Sequence, residues 1–512
     1  MNQQNSPPSS EEKSTSALVA IGAAWFVMMR WTLRLIGLVS TAVLARVLVP
    51  ADFGLVAIAS SYLTLLEVFT DFGARSAVIR NDDENDRSFL NTVFTTQLIR
   101  GIGLAMLVFG SSVVPHFLGM DERVGAVIRS LAICPLLNSL QNPKLAVFER
   151  SLDFRRESAL QILAKLLSTV TSITLAFVFR TYWALVAGLL VASGAKFVIS
   201  YLLSPFLPRV GLKGWRELLG FSGWISATYM LDVVSRGFDN ITMGFFVGAR
   251  GAGLFNIGQQ LAEMPLGEFI PVVNRALFPG LLRFKDSEAK LRTSALDALG
   301  LLSALSLPMA IGFALVAPEA VHLIYGKQWG EAIPVIQVLA VASAFDTIGG
   351  SLVGSVAMAT AQTRLLFMRS LWRGLFRLPA FVVGTWAYGL MGGVTGSLIG
   401  SAVLTITNLA TLRIVLRLGY RPIVERLWRA IVAVIVMVVV ILVVQHATLA
   451  GAPRAGDGMR LTLKTAAGIA SYGAVRLLIW KWSGVPDSLE QRLLALVATL
   501  RARRLKSHGR AA

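Results

Sequence analysis

A train of apolar segments runs almost unbroken through this chain, and nothing constrains its fold more. Each segment is about 20 residues or longer, which in a helix rising 1.5 Å per residue crosses the roughly 30 Å hydrocarbon core of a bilayer. We read fourteen transmembrane helices, at 17–48, 53–72, 91–114, 124–147, 157–180, 182–204, 221–248, 252–282, 292–317, 332–358, 364–388, 390–416, 427–447 and 461–482. Composition agrees. Of 512 residues, 55% are hydrophobic and 15% charged, whereas a soluble domain carries about 25% charged residues. The expectation is an all-α integral membrane protein. Cys134 stands alone, so no disulfide framework is available. His116, His322, His446 and His508 are scattered, and none has metal-ligand spacing. No metal and no cofactor are therefore expected.

The net charge of +19 would suggest nucleic acid in a soluble protein. In a membrane protein it points to cytoplasmic loops and anionic lipid, and nucleic acid is not an expected partner. With the N-terminus inside and the spans alternating, the outer loops hold only Arg123, Arg180, Arg250, Lys327, Arg454 and Arg460. The inner loops take clusters such as Lys144, Arg150, Arg155 and Arg156, or Arg417, Arg421, Arg426 and Arg429. This bias puts both termini in the cytoplasm of a multi-pass protein. Residues 1–16 read as a disordered polar tail without a cleavable signal, and 483–512 as a basic amphipathic tail. No segment outside the spans is long enough for a soluble catalytic domain, so the chain is not expected to be an enzyme.

The chain also echoes itself. Gly54-Leu55 and Gly253-Leu254 occupy the same place in their helix pairs, and Leu152-Asp153-Phe154-Arg155 is echoed by Ala361-Gln362-Thr363-Arg364. Two pseudo-symmetric six-helix bundles at 17–204 and 221–417 follow, joined by a linker at 205–220 and followed by two extra helices within 418–482. Such repeats are the usual plan of alternating-access transporters. Asp-Phe-Gly at 52–54 and 71–73 resembles a kinase motif, but no other kinase element accompanies it. Both copies read as turns at helix ends. The glycine series Gly389, Gly392, Gly393, Gly396 and Gly400 suits close helix packing.

Charges inside the spans are the informative residues. An ionisable group at mid-span costs about 2.5–3.5 kcal/mol and normally faces a bundle interior or water. Arg30, Arg34, Glu67, Arg129, Lys165, Lys196, Asp232, Arg236, Asp239, Glu263, Glu268, Arg275, Asp297, Asp346, Arg369, Arg373 and Arg377 all sit there. The spacings make stripes: Arg30 with Arg34, Asp232 with Arg236 and Asp239, and Arg369 with Arg373 and Arg377, beside Trp372 and Phe376. A water-filled, charge-lined cavity is the economical explanation. Guanidinium binds phosphate bidentately, so Arg30, Arg34, Arg236, Arg373 and Arg377 are candidate substrate-binding residues. Glu67, Asp232, Asp239, Glu263 and Glu268 are candidate cavity or coupling acids. Each stripe has a structural alternative: Arg30 and Arg34 pairing with Glu67, a salt-bridge ladder through Arg236, or Arg369 reaching the interface. Lys165 and Lys196 read as snorkelling or structural.

The segment Leu44-Ala45-Arg46-Val47-Leu48-Val49-Pro50-Ala51-Asp52-Phe53-Gly54-Leu55, followed by Phe72-Gly73, resembles the opening of Wzx-type oligosaccharide flippases of the multidrug/oligosaccharidyl-lipid/polysaccharide exporter superfamily. Arg150-Ser151-Leu152-Asp153-Phe154-Arg155-Arg156 and Gly253-Leu254-Phe255-Asn256 are similar to that family too. The resemblance covers about 20–420. It implies a flippase that moves undecaprenyl-pyrophosphate-linked oligosaccharide across the bacterial inner membrane by alternating access. Partners would be that lipid-linked oligosaccharide, anionic membrane lipid, and the polysaccharide polymerase and export machinery. A cation-coupled small-molecule exporter and a lipid-II flippase share the fold and stay open as alternatives.

Overall fold

The computed structural model describes residues 10–70, 87–145, 154–204, 206–212, 223–284, 287–359, 363–451 and 456–482. The tail 483–512 and most of the linker 205–220 lie outside the described residues. Among the described residues the regular structure is helical, with no strand. The helices are α1 (Ser10–Val47), α2 (Pro50–Phe69), α3 (Arg87–Ser111), α4 (Val114–Phe117), α5 (Glu122–Leu131), α6 (Ile133–Ser139), α7 (Phe154–Phe179) and α8 (Trp183–Leu203). They continue with α9 (Gly223–Phe246), α10 (Gly248–Leu282), α11 (Glu288–Ile324), α12 (Ala332–Ala359), α13 (Thr363–Val415), α14 (Tyr420–Gly451) and α15 (Asp457–Trp482). Nine of these, among the described residues, contain stretches long and apolar enough to cross a bilayer.

Several expectations need adjusting. Helix α1 starts at Ser10, inside the segment read as a polar tail. The fourth expected span, 124–147, is two short helices, α5 and α6, broken at Ala132. Pro135 sits in the first turn of α6, where a missing N–H costs little. Helix α11 runs to Ile324 through both Pro308 and Pro318, whereas the sequence reading stops the span at 317. Helices α9, α10 and α15 form close to where they are expected, but they are not among the nine. The fourteen-helix count is therefore an expectation for which these helices supply only part.

The chain divides into two compact units, Met1–Gly253 and Leu254–Ala512. In the first, α1 lies along α7, α7 along α8, α3 along α6, and α2 against α5 and α9. The start of α2 is built locally: Pro50 occupies the first turn, and the Asp52 carboxylate accepts a hydrogen bond from the Val49 N–H at 3.1 Å. Its C-terminus is capped from outside. Arg100 on α3 donates from Nη2 to the Glu67 carbonyl at 2.9 Å and from Nε to Thr70 Oγ1 at 3.2 Å. A cation there meets the negative end of the helix dipole.

Gly54 is where α2 meets the chain around Gly253. A Cβ on Gly54 would lie 1.7 Å from the Ala249 carbonyl oxygen, and one on Gly253 would lie 1.8 Å from the Pro50 oxygen. The two glycines whose sequence neighbourhoods echo each other thus form one reciprocal crossing, which explains why neither can carry a side chain. Gly237 and Gly244 on α9 pack likewise on Leu65 and Ile58 of α2, and Asn240 Nδ2 donates to Ser61 Oγ at 2.9 Å.

In the second unit α11 is central, with α12, α14 and α15 packed on it. Helix α13 breaks at Tyr388 and Gly389, where Gly389 takes φ 61°, a left-handed conformation that glycine adopts freely. Its two arms fold onto each other, so that Gly392 meets Gly384, Gly396 meets Ala380 and Gly400 meets Arg377. The glycine series therefore does serve close packing. Large apolar side chains such as Met106, Phe109, Val170, Phe177, Ile435 and Val443 point outward, while Ser303, Ser306, Ser397 and Asn408 are buried. Lipid rather than water outside the helices accounts for that inversion.

Candidate functional site

The structure distributes the expected site residues over both units. In the first, Arg30 and Arg34 are half-buried on α1, and Glu67 is half-buried in the last turn of α2. The α9 stripe is not uniform. Asp239 is fully buried at 0% exposure, Asp232 is half-buried and Arg236 is exposed. Asp239 sits beside Asn240, which ties α9 to α2. Helical spacing puts the three on one side of the helix, but their depth in the packing differs.

In the second unit Glu263 and Glu268 are half-buried on α10, and Glu263 Oε1 accepts from Gln259 Nε2 at 3.0 Å. The arginine stripe of α13 leans into its own unit. Arg369 Nη2 lies 2.6 Å from where Gly350 of α12 would carry a Cβ, so that glycine makes room for the guanidinium. Arg373 Nη2 is 3.8 Å from Asp346 Oδ2 of α12, a long ion pair. Arg377 is only 6% exposed. Its Nη2 is 3.4 Å from Ser397 Oγ on the second arm, and its Cα lies 2.9 Å from the Cβ position of Gly400. Trp372 and Phe376 stack at 5.7 Å on the exposed side of the same arm. Arg377 is thus packed inside the α13 hairpin, and Arg373 reaches Asp346 at long ion-pair distance.

Two in-span acids have local partners. Asp297 Oδ1 pairs with Arg426 Nη2 at 3.0 Å, and Asp346 faces Arg373. The Asp297 pair needs no cavity to explain it. A more deeply buried pair is absent from the expected set. Lys464 of α15 is 1% exposed, and its Nζ donates to Glu319 Oε1 of α11 at 2.5 Å and to Gln445 Oε1 of α14 at 3.2 Å. Glu319 falls just beyond the expected end of the ninth span and Lys464 near the start of the last. Arg100 was likewise not singled out. Helix α11 continues through Pro318 to Ile324, which keeps Glu319 within the helix. Outside the spans, the hydrogen bond from Arg123 holds the Asp121 carboxyl below the usual carboxylate range, with Arg123 Nη2 at 2.7 Å from Oδ2. Among the described residues no group of three or more His, Cys, Asp or Glu is placed to hold a metal ion.

The residues that carry the sequence resemblance coincide with the start of a family match. The profile described as "Polysaccharide biosynthesis protein" matches residues 43–334, more than half of the chain. The chain belongs to that family. Among relatives of this polysaccharide biosynthesis protein, the lipopolysaccharide biosynthesis protein WzxC of Escherichia coli (strain K12) is 24% identical over 421 residues, covering 80% of this chain and 83% of the relative. The succinoglycan biosynthesis transport protein ExoT of Rhizobium meliloti (strain 1021) is 24% identical over 412 residues, covering 80% of each. Among solved structures, the lipid II flippase MurJ in an inward closed conformation matches with a TM-score of 0.69 at 13% identity, over 89% of this chain and 98% of that one. At that identity the likeness establishes the fold. The polysaccharide biosynthesis protein is a multi-pass, all-α membrane protein of the kind the sequence resemblance implies.

Proposed function

We propose that this polysaccharide biosynthesis protein is a flippase for undecaprenyl-pyrophosphate-linked oligosaccharide. It is a transporter and not an enzyme, and it works by alternating access in the bacterial inner membrane with both termini in the cytoplasm. The observation that carries the reading is a set of cations inside apolar helices of a polysaccharide biosynthesis protein. Arg30 and Arg34 on α1 and Arg373 on α13 are half-buried, where a charge is costly unless water or an anion accompanies it. Beside the partners they have within the protein, these guanidinium groups suit a diphosphate bidentately, and the prenyl chain stays in lipid. In this reading the chain has two six-helix bundles, 17–204 and 221–417, with two further helices and a basic tail. Arg236, Asp232, Asp239, Glu67, Glu263 and Glu268 are the remaining cavity candidates, and Arg377 supports the arm that presents Arg373.

The test is polymer export in a deletion strain complemented at native expression level. Wild type restores polymer. Arg30→Ala with Arg34→Ala, or Arg373→Ala, lowers it at least about tenfold, because a charge-assisted contact contributes about 1.5–3 kcal/mol. Full export by these variants would refute the binding roles. Drug hypersensitivity of the deletion with normal polymer would instead favour small-molecule export. Alkaline phosphatase fused after the C-terminus reports sidedness, and an active fusion would overturn the cytoplasmic assignment.

A further inference from the structure

Lys165 stands apart from the charges considered so far. It lies near the middle of the 26-residue α7, about 16 Å from one end and about 21 Å from the other at 1.5 Å per residue. A lysine side chain reaches roughly 6 Å, too short to snorkel to either end of the helix, which leaves the structural half of the sequence expectation standing. The side chain is half-buried against α1. Its Cε is 4.0 Å from the point where Gly37 would carry a Cβ, an ordinary contact distance, so the lysine stem lies beside Gly37 on the facing side of α1. Among the described residues Lys165 makes no hydrogen bond or ion pair.

The surrounding helices supply no acid at that depth. Residues 17–47 of α1 and the whole of α8 contain neither Asp nor Glu, and the single acid of α7 is Glu157 near its start. On α1, Arg30, Arg34 and Gly37 stand at i, i+4 and i+7 and so share one face. Since Gly37 faces Lys165, that face is turned toward α7. The lysine therefore continues the arginine stripe one turn farther along α1, and the three cations span about 10 Å of helix axis.

We infer that Lys165, which lies beside Gly37 on the arginine-bearing face of α1, is a phosphate-contacting residue of the transport path and engages the diphosphate of the lipid-linked cargo. The inference rests on the flippase reading and adds a residue to it. An ammonium group without a carboxylate partner among the described residues, half-buried near the middle of its span, is available to an anionic oxygen. An acidic sugar would present the same chemistry as a phosphate, so the probe must carry no sugar.

The experiment uses the full-length protein in nanodiscs and undecaprenyl pyrophosphate as probe, with undecaprenol as the uncharged control. Lys165→Gln is expected to weaken binding of the diphosphate about tenfold or more, the loss of one charge-assisted contact. Lys165→Arg should retain most of it. Gly37→Leu, whose branched end would crowd the lysine while removing no charge, should weaken it as well. None of the three should change retention of undecaprenol. The melting temperature of ligand-free Lys165→Gln should equal or exceed that of wild type, because an unpaired charge has been removed; a lower value would mark a structural role and overturn the assignment. Equal diphosphate affinity of wild type and Lys165→Gln would also overturn it while leaving the flippase reading standing. If wild type itself fails to prefer the diphosphate over undecaprenol, the cargo reading falls together with this one.

Discussion

Replacing Lys464 with methionine should loosen the two C-terminal helices from the rest of their unit. The ammonium group is 1% exposed and bridges α15 to Glu319 of α11 at 2.5 Å and to Gln445 of α14 at 3.2 Å. Glu319 Oε2 already lacks a hydrogen-bond partner, so the lysine is its principal compensation. Removing one partner of a buried pair costs about 3–5 kcal/mol, because the other charge is left behind without solvent. If α14 and α15 open locally, their amide exchange should accelerate by about two to three and a half orders of magnitude at 1.4 kcal/mol per tenfold. Hydrogen exchange of the detergent-solubilised protein measures this, with α7 and α8 as internal reference. Methionine keeps the length of the stem, so lost packing is a small part of the effect. The double variant Glu319→Leu with Lys464→Met should recover most of the protection, since a well-packed apolar pair of similar volume is often as stable as the ion pair it replaces. Exchange that changes by less than about tenfold in Lys464→Met, or a double variant as labile as the single, would refute the reasoning.

Two further outcomes follow from packing and charge. Gly253→Leu should abolish a monodisperse peak in detergent chromatography, because its Cβ would fall 1.8 Å from the Pro50 oxygen and backbone cannot give way cheaply. Gly103→Leu, whose Cβ meets nothing within 4 Å, should behave as wild type in the same run. Arg426→Ala removes the partner of Asp297 at 3.0 Å, but both side chains are about a third exposed. It should cost less than about 1 kcal/mol in thermal unfolding and leave polymer export intact; an export defect would return Asp297 to the transport path.

Much of the helical layout is legible along the chain because it depends on local properties. A stretch of apolar residues must hydrogen-bond to itself in lipid, so hydropathy alone marks the spans. Gly389 ends one helical arm near where the sequence reading ends it, since a left-handed backbone favours glycine. The close-packing role of Gly392, Gly396 and Gly400 is local as well, because the helices they join are consecutive. Proline is less reliable as punctuation. Helix α11 passes through Pro308 and Pro318, since neighbouring helices offset the missing hydrogen bonds.

The charges divide differently. That ionisable groups lie within the spans is read from the sequence, and so is the presence of stripes on one helical face. Which of them are already satisfied is not. Lys464 and its partner Glu319 are 145 positions apart, and Asp297 meets Arg426 across a comparable stretch of chain. Spacing on one helix cannot report a partner on another. The sequence by itself thus determined a basic, all-helical membrane protein of a polysaccharide biosynthesis family, because hydropathy and motif order act along the chain. Only the tertiary structure decided that Arg377 is buried within the α13 hairpin, that Asp297 meets Arg426 and that Lys165 lies beside Gly37 of α1, because the cost of a buried charge depends on what the fold brings beside it.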